Sequence, residues 1–148
     1  MITKASISDA EKFFELIKTE FPYLKFTLAD FRKKFNSENF LFFKFEERNQ
    51  MKGFFELELI NSFTARINSI IVLPEFRRKG IGTKLTEKII ELAGEKEVNE
   101  LILAVDKKNE AAKTLYEKFG FIESGTEKVA GIEAYRMILV LKTESMIQ

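Results

Sequence analysis

Val72-Leu73-Pro74-Glu75-Phe76-Arg77-Arg78-Lys79-Gly80-Ile81-Gly82 is the stretch on which the reading of this chain turns. The apolar run Ile70-Ile71-Val72 leading into it reads as a strand. Pro74 ends that strand, because proline has no N–H to give to a ladder. Three cations and two glycines follow, and Ile81, Leu85, Ile89 and Leu92 then recur at helical spacing. A basic, glycine-bearing loop therefore joins a strand to the start of a helix. The first N–H groups of a helix have no partner within it and carry the positive end of its dipole. Glycine lets the backbone come close to a ligand oxygen. The local chemistry is that of a phosphate or pyrophosphate cradle. Its plain alternative is a solvated cationic turn.

Two better-known phosphate loops do not fit. The P-loop needs two glycines separated by four residues, then Lys and Ser or Thr, whereas the glycines here are Gly80 and Gly82. The dinucleotide fingerprint needs a third glycine where Leu85 stands, and no acidic residue clearly ends a following strand.

The spacing Arg77-x-x-Gly80-x-Gly82, set directly after a strand, resembles the acyl-CoA-binding motif of the GNAT N-acetyltransferase superfamily, Gln/Arg-x-x-Gly-x-Gly/Ala. Downstream, Asn109-Glu110-Ala111-Ala112-Lys113-Thr114-Leu115-Tyr116-Glu117-Lys118-Phe119-Gly120-Phe121 is similar to the family's second signature, Asn-x-x-Ala-x-x-Leu-Tyr-x-x-x-Gly-Phe. The two stand in the family's order, separated by a helix and a strand. The resemblance implies an α/β fold: a mixed central sheet of about six to seven strands, splayed at the acyl-CoA site and flanked by about four helices. It implies one N-acetyltransferase domain over residues 1–148. Acetyl-CoA is then the co-substrate, with no metal. The acetyl group moves to a primary amine by direct attack in a ternary complex, and the amine belongs to a small molecule, a protein N-terminus or a lysine.

The same resemblance distributes roles. The pantetheine arm pairs with backbone near Ile70, Ile71 and Val72. The pyrophosphate meets the N–H groups of Arg77, Arg78, Lys79, Gly80, Ile81, Gly82 and Thr83. Asn109 caps its helix and adds a polar contact to the coenzyme arm. Tyr116 aims its phenol at the thioester sulfur, unless it is only a core aromatic on the Ala112-Leu115-Phe119 stripe. A free phenol titrates near ~10 and a thiol near ~8.5, so full proton transfer to the leaving thiolate is uphill by about 2 kcal/mol. Tyr116 therefore reads as a hydrogen-bond stabiliser of the developing thiolate, or a donor in concert with amine deprotonation. The amine, with a pKa near ~10.4, must also lose a proton. Many family members place a Glu on the strand before the loop; here that position holds Asn68. Glu56 and Glu58, on the neighbouring strand, are the candidates for the base, with a solvated sheet face as their alternative. The missing Glu also motivates a competing reading, a catalytically silent acyl-CoA-binding or regulatory domain. A generic anion-binding α/β domain is a third.

Composition narrows the field independently. A chain of 148 residues with 45% hydrophobic content can bury one core. Net charge is +1, so a general nucleic-acid surface is not expected. No apolar stretch approaches the roughly 20 residues that span a bilayer. Met1-Ile2-Thr3-Lys4 lacks the apolar core of a signal peptide, and a cytoplasmic protein with no membrane partner is expected. With no Cys and no His there are no disulfides, thiolate or imidazole ligands, Ser-His-Asp triads or Cys-His pairs. An acyl group cannot rest on a cysteine. A homodimer is left open.

The remaining chain reads as follows. Ile2 to Ile7 is a short edge strand, and Ser8-Asp9-Ala10-Glu11 a capping box before a helix with Ala10, Phe13, Phe14 and Ile17 on one face. Pro22 ends that unit; Thr27 caps a second helix with Leu28, Phe31 and Phe35 inward. Phe40–Phe45 and Lys52–Ile60 form a hairpin, with Phe55, Leu57 and Leu59 on one face of its second strand and Phe54, Glu56 and Glu58 on the other. Ala65–Val72 follows as a third strand, Gly94–Asn99 as a loop, and Leu101–Val105 as a strand buried on both faces. Strand, helix and strand from Ile67 to Val105 make a right-handed crossover. Gly120 stops the last helix, and Phe121–Glu127 and Ala134–Lys142 close the sheet.

Overall fold

The computed structural model describes residues 1–141. Seven strands and four α-helices alternate along it: β1 (Ile2–Lys4), α1 (Ala10–Glu20), α2 (Leu28–Phe35), β2 (Phe40–Glu47), β3 (Gln50–Leu59), β4 (Thr64–Val72), α3 (Ile81–Glu95), β5 (Glu100–Asp106), α4 (Glu110–Lys118), β6 (Ile122–Val129) and β7 (Ile132–Val140). The strand order is β1-β2-β3-β4-β5-β7-β6. The sheet is mixed: β4 and β5 pair in parallel, whereas the β1–β2, β2–β3, β5–β7 and β6–β7 pairs are antiparallel. By contacts the chain divides into two compact units, one of Met1–Glu58 with Asn68–Ile89, the other of Leu59–Ile67 with Ile90 onward.

The first unit is built on aromatic packing. Ala10, Phe13 and Ile17 are the buried stripe of α1, and Phe31 is the buried residue of α2. The Phe13 ring stacks on Phe54 of β3 with centroids 3.9 Å apart, and Phe35 stacks on Phe42 of β2 at 4.0 Å. Phe31 meets both Phe35 and Phe42 edge-on, the geometry that the ring quadrupole favours. Thr27 caps α2 as its sequence position suggests, its Oγ1 accepting the Asp30 N–H at 3.1 Å. The cap of the first helical segment lies elsewhere than expected. A 3₁₀ turn, Ile7–Asp9, precedes α1, and the Ser6 N–H donates to Asp9 Oδ2 at 3.0 Å. Ser8 falls inside that turn, so the box sits two residues before Ser8-Asp9-Ala10-Glu11.

The β2–β3 hairpin closes through Arg48 and Asn49, both at positive φ (54° and 61°), with Glu47 opposite Gln50. Two left-handed residues in succession match the twist of the flanking strands. Within β3, Gly53 to Leu57 are all buried, so neither face is solvated. Gly53 is where β3 comes closest to its neighbours: a Cβ there would lie 2.8 Å from the Ile71 carbonyl oxygen and 3.3 Å from Leu85 Cδ1. Backbone oxygen cannot swing aside as a side chain can. Gly53→Ala is therefore expected to cost about 1–3 kcal/mol, the usual range for an overpacked core, measured as a lowered urea midpoint with unchanged slope.

In the second unit β4 and β5 pair in register Thr64↔Glu100, Ala65↔Leu101, Arg66↔Ile102. β5 alternates instead of burying both faces: Leu101, Leu103 and Val105 are buried, and the residues between them are half-buried. β7 pairs with β5 along Glu100–Asp106 and carries β6 on its other side. β6 and β7 are joined through Ala130 and Gly131, at φ 50° and 87°. Lys142, expected as the last residue of the closing strand, lies outside the described residues.

Candidate functional site

The basic loop takes the form its residue types suggest. β4 ends at Val72, a 3₁₀ turn occupies Pro74–Phe76, and α3 starts at Ile81. Two residues between them are left-handed, Arg78 at φ 63° and Gly80 at φ 82°. Left-handed residues of this kind recur in the backbone concavities that bind anions. Gly80 faces open space, with no atom within 4 Å of where a Cβ would stand. Its carbonyl accepts the Lys84 N–H at 3.1 Å, which places it at the head of α3. Arg77, Arg78, Lys79, Gly80 and Thr83 are exposed, Gly82 is half-buried, and Ile81 is buried under the loop. Thr86, fully buried one turn on, returns its hydroxyl to the Gly82 carbonyl at 2.8 Å.

Arg77 differs from its neighbours. Its Nε donates to the Val72 carbonyl at 2.8 Å, and its guanidinium pairs with Glu20 of α1 at 3.1 Å. The Leu73 N–H donates to the Lys52 carbonyl at 2.9 Å. So Arg77 clips the loop to the end of β4 and takes the carbonyl of Val72, leaving Arg78 and Lys79 as the outward cations. Ile71 is buried and Val72 half-buried at the strand end. Beside them Ser69 is 7% exposed, and its hydroxyl is buried with no hydrogen-bond partner among the described residues. An unpaired buried hydroxyl costs free energy and is uncommon in a finished core.

Glu56 and Glu58 come together through a residue not expected to join them. The Asn68 amide nitrogen donates to Glu56 Oε2 at 2.7 Å and to Glu58 Oε1 at 3.0 Å. Lys34 of α2 also donates to Glu56 Oε2, at 3.0 Å, and its ammonium lies 5.7 and 5.1 Å from the Phe31 and Phe40 rings. Glu56 is 2% exposed, which removes the solvated-face alternative for that residue. A buried carboxylate needs a partner of opposite charge and hydrogen bonds, and Lys34 and Asn68 supply them. Lys34 escaped the sequence reading because its partner is 22 positions away; nothing local in α2 marks it.

Asn109 and Tyr116 belong to the second unit. Asn109 caps α4, its Oδ1 accepting the Ala112 N–H at 3.1 Å. The helix ends in a double hydrogen-bonded turn: the Gly120 N–H donates to the Glu117 carbonyl at 3.0 Å and the Phe121 N–H to the Tyr116 carbonyl at 3.1 Å, the pattern of a Schellman cap. The Phe121 ring then rests 5.6 Å from the Tyr116 ring at 60°. Backbone and ring are thus both held. Tyr116 keeps partial exposure, yet burial pushes its phenol up to about 12. The gap to an ordinary thiol becomes about 3.5 units, or about 5 kcal/mol, wider than free phenol gives. Tyr116 stays protonated as a hydrogen-bond donor at neutral pH. Because its folded value is raised, the neutral form stabilises the fold below pH 10, and that contribution is lost as pH rises from about 10 towards 12. Alkaline unfolding scans of wild type and Tyr116→Phe are expected to diverge in that window, the wild type losing more stability.

A separate cleft of about 740 Å³ is lined by Met1, Thr3, Glu46, Glu47, Arg48, Asn49 and Lys52. It contains none of the site residues expected from the sequence.

The model of the acetyltransferase (GNAT) family matches residues 10–121, well over half of the chain. The chain belongs to the GNAT family. A Bacillus subtilis (strain 168) protein assigned as a ribosomal protein bS18-alanine N-acetyltransferase is 38% identical over 64 residues, 43% of this chain and 42% of that one. The aligned stretch thus spans less than half of that relative's length. Among solved structures, an N-acetyltransferase from Staphylococcus aureus Mu50 superposes with a TM-score of 0.85 at 25% identity, covering 96% of this chain and 98% of that one. NAA60 from Arabidopsis thaliana, solved in complex with acetyl-CoA, has a TM-score of 0.79 at 16% identity, covering 95% and 98%. Among the described residues no helix is long and apolar enough to cross a membrane.

Proposed function

We propose that this GNAT chain is an acetyl-CoA-dependent N-acetyltransferase acting on a primary amine, with residues 1–148 working as one domain. The observation that carries the proposal is the basic turn with two left-handed residues, Arg78 and Gly80, opening into the head of the 15-residue helix α3. Its exposed amides and cations suit a diphosphate. Bound acetyl-CoA supplies the acetyl group as a thioester, which the amine attacks directly in a ternary complex.

The chain's own residues then divide the work. Backbone N–H groups from Arg78 to Thr83 hold the diphosphate, with Arg78 and Lys79 adding charge and Arg77, whose own N–H donates to the Pro74 carbonyl, fixing the loop. The arm lies along the strand end near Ile71, whose carbonyl faces Gly53 of β3, and the Val72 carbonyl is already engaged. Asn109 keeps its Oδ1 on the helix cap and leaves its amide N–H groups for a contact. Tyr116 donates a hydrogen bond to sulfur as charge develops there. Glu56 and Glu58, joined through Asn68, form the carboxylate cluster from which the base for the amine is drawn. A small-molecule amine, a protein N-terminus and a lysine all meet these requirements.

A second reading, a silent acyl-CoA-binding domain, is favoured by one observation: Glu56 is tied to Lys34 and Asn68 stands in place of an acid. Thiol release from acetyl-CoA with a panel of primary amines separates the two. Turnover with at least one amine supports the enzyme; tight coenzyme binding without release across the panel supports the silent module.

A further inference from the structure

We propose that Glu58, oriented by the Asn68 amide, is the group that receives the acceptor's ammonium and takes its proton, and that Glu56 is held out of that role by Lys34. This rests on the acetyl-transfer reading above. In the Lys34–Glu56–Asn68–Glu58 cluster one cation faces two carboxylates. Lys34 neutralises Glu56, so the cluster carries one uncompensated negative charge, which a single ammonium completes. Once the nitrogen is acetylated it is neutral, and the attraction that brought it in is gone.

The two carboxylates are not equivalent. Glu56 Oε2 accepts from both Lys34 and Asn68 and is buried at 2% exposure. Protonating it would leave the half-buried Lys34 ammonium without its counter-charge. Glu58 accepts only one amide N–H, through Oε1, and is half-buried. Its other oxygen takes no hydrogen bond among the described residues and is free for an N–H of the acceptor. Asn68 spends both amide hydrogens on the two carboxylates, which fixes its flip. Its carbonyl oxygen is left as a second acceptor for the same ammonium, and Asn68 is exposed. The base is thus moved one strand over, from the β4 position where Asn68 stands to β3. The groups surrounding Glu58 are Phe40 opposite it on β2, Asn68 on β4, Glu56 on its own strand and Lys34 of α2 through Glu56. Arg66, two positions before Asn68, pairs instead with Glu127.

The proton balance is simple. One ammonium N–H bond breaks towards Glu58, which becomes a carboxylic acid. The electron pair left on nitrogen forms the C–N bond while the C–S bond breaks. Sulfur leaves with the C–S bonding pair and collects the second amine proton, giving amide, thiol and one proton on Glu58.

The test combines kinetics with a readout that needs no turnover. The pH–rate profile of thiol release is recorded with alaninamide and cadaverine for wild type, Glu58→Gln and the double variant Lys34→Met/Glu56→Gln. The double variant removes both charges of the buried pair together, so no lone charge remains. Glu58→Gln is expected to lower turnover at least tenfold and to abolish the fall in rate at low pH. The double variant is expected to keep that fall whatever its absolute rate. In the coenzyme-free protein, the carboxyl resonance of carbon-labelled Glu58 followed by NMR should shift on addition of cadaverine, and shift less in Asn68→Ala. A low-pH fall that survives in Glu58→Gln, or vanishes in the double variant, overturns the assignment, as does a Glu58 resonance that cadaverine leaves unmoved. Thiol release absent from wild type while the Glu58 resonance still shifts would instead sink the acetyl-transfer reading. Calorimetry with coenzyme A checks that each variant retains its coenzyme site.

Discussion

Tyr116→Phe is expected to lower turnover on the order of 10²- to 10³-fold while leaving acyl-CoA affinity within about twofold, the size of effect seen when one donor to developing negative charge is removed. The ring stays, so the contact with Phe121 and the Schellman turn that hold the residue stay too. Only the hydroxyl is lost. Its proton is not passed on outright, because a phenol pushed up to about 12 is a far weaker acid than a thiol. What is lost is a hydrogen bond made to sulfur only as the thioester opens, and an interaction of that kind appears in kcat and not in ground-state affinity. Steady-state thiol release beside calorimetric titration of acetyl-CoA reads both quantities. Wild-type turnover in the variant removes Tyr116 from the chemistry.

The second large effect is at Gly80. Gly80→Val is expected to weaken coenzyme A binding about 10²-fold with the fold retained. At φ 82° a β-branched residue is strained by about 1–3 kcal/mol. Either the loop keeps its shape at that cost, or it relaxes and its amides no longer converge. A hydrogen bond to a charged group contributes about 1.5–3 kcal/mol, so losing even one accounts for much of the change. No neighbour lies within 4 Å of the new Cβ, so core packing is untouched and the circular dichroism spectrum should match wild type. Unchanged affinity would mean that the loop does not hold the diphosphate.

How much of this could be read from the chain alone depended on the range of each interaction. The strand, Pro74, cationic turn and α3 follow one another within a few residues, and each signal is local. The Thr27 cap and the Asn109-to-Gly120 helix were legible for the same reason. Where two local signals competed, the reading slipped: Ser6 and Ser8 both suit a cap, and the 3₁₀ turn Ile7–Asp9 decided for Ser6. Gly94–Asn99 reads as a loop, yet α3 continues to Glu95. One glycine costs a helix only about 1 kcal/mol, and the buried Leu92 and Ala93 offset it. The β3 pattern gave the correct partition of Glu56 and Glu58 onto one face but not the burial of Glu56. Its burial depends on Lys34 and Asn68, brought to it from α2 and β4 by the fold. The resemblance named the loop and Tyr116; it could not show that Arg77 is committed to Val72 and Glu20.

The most direct test of the loop's role is an amide-resolved NMR titration of the protein with coenzyme A. The largest shifts are expected at the N–H groups of Arg77 to Thr83, with smaller ones at Ile71 and Asn109. Unmoved loop amides, with the shifts gathered instead around the Met1, Thr3 and Lys52 cleft, would contradict the account.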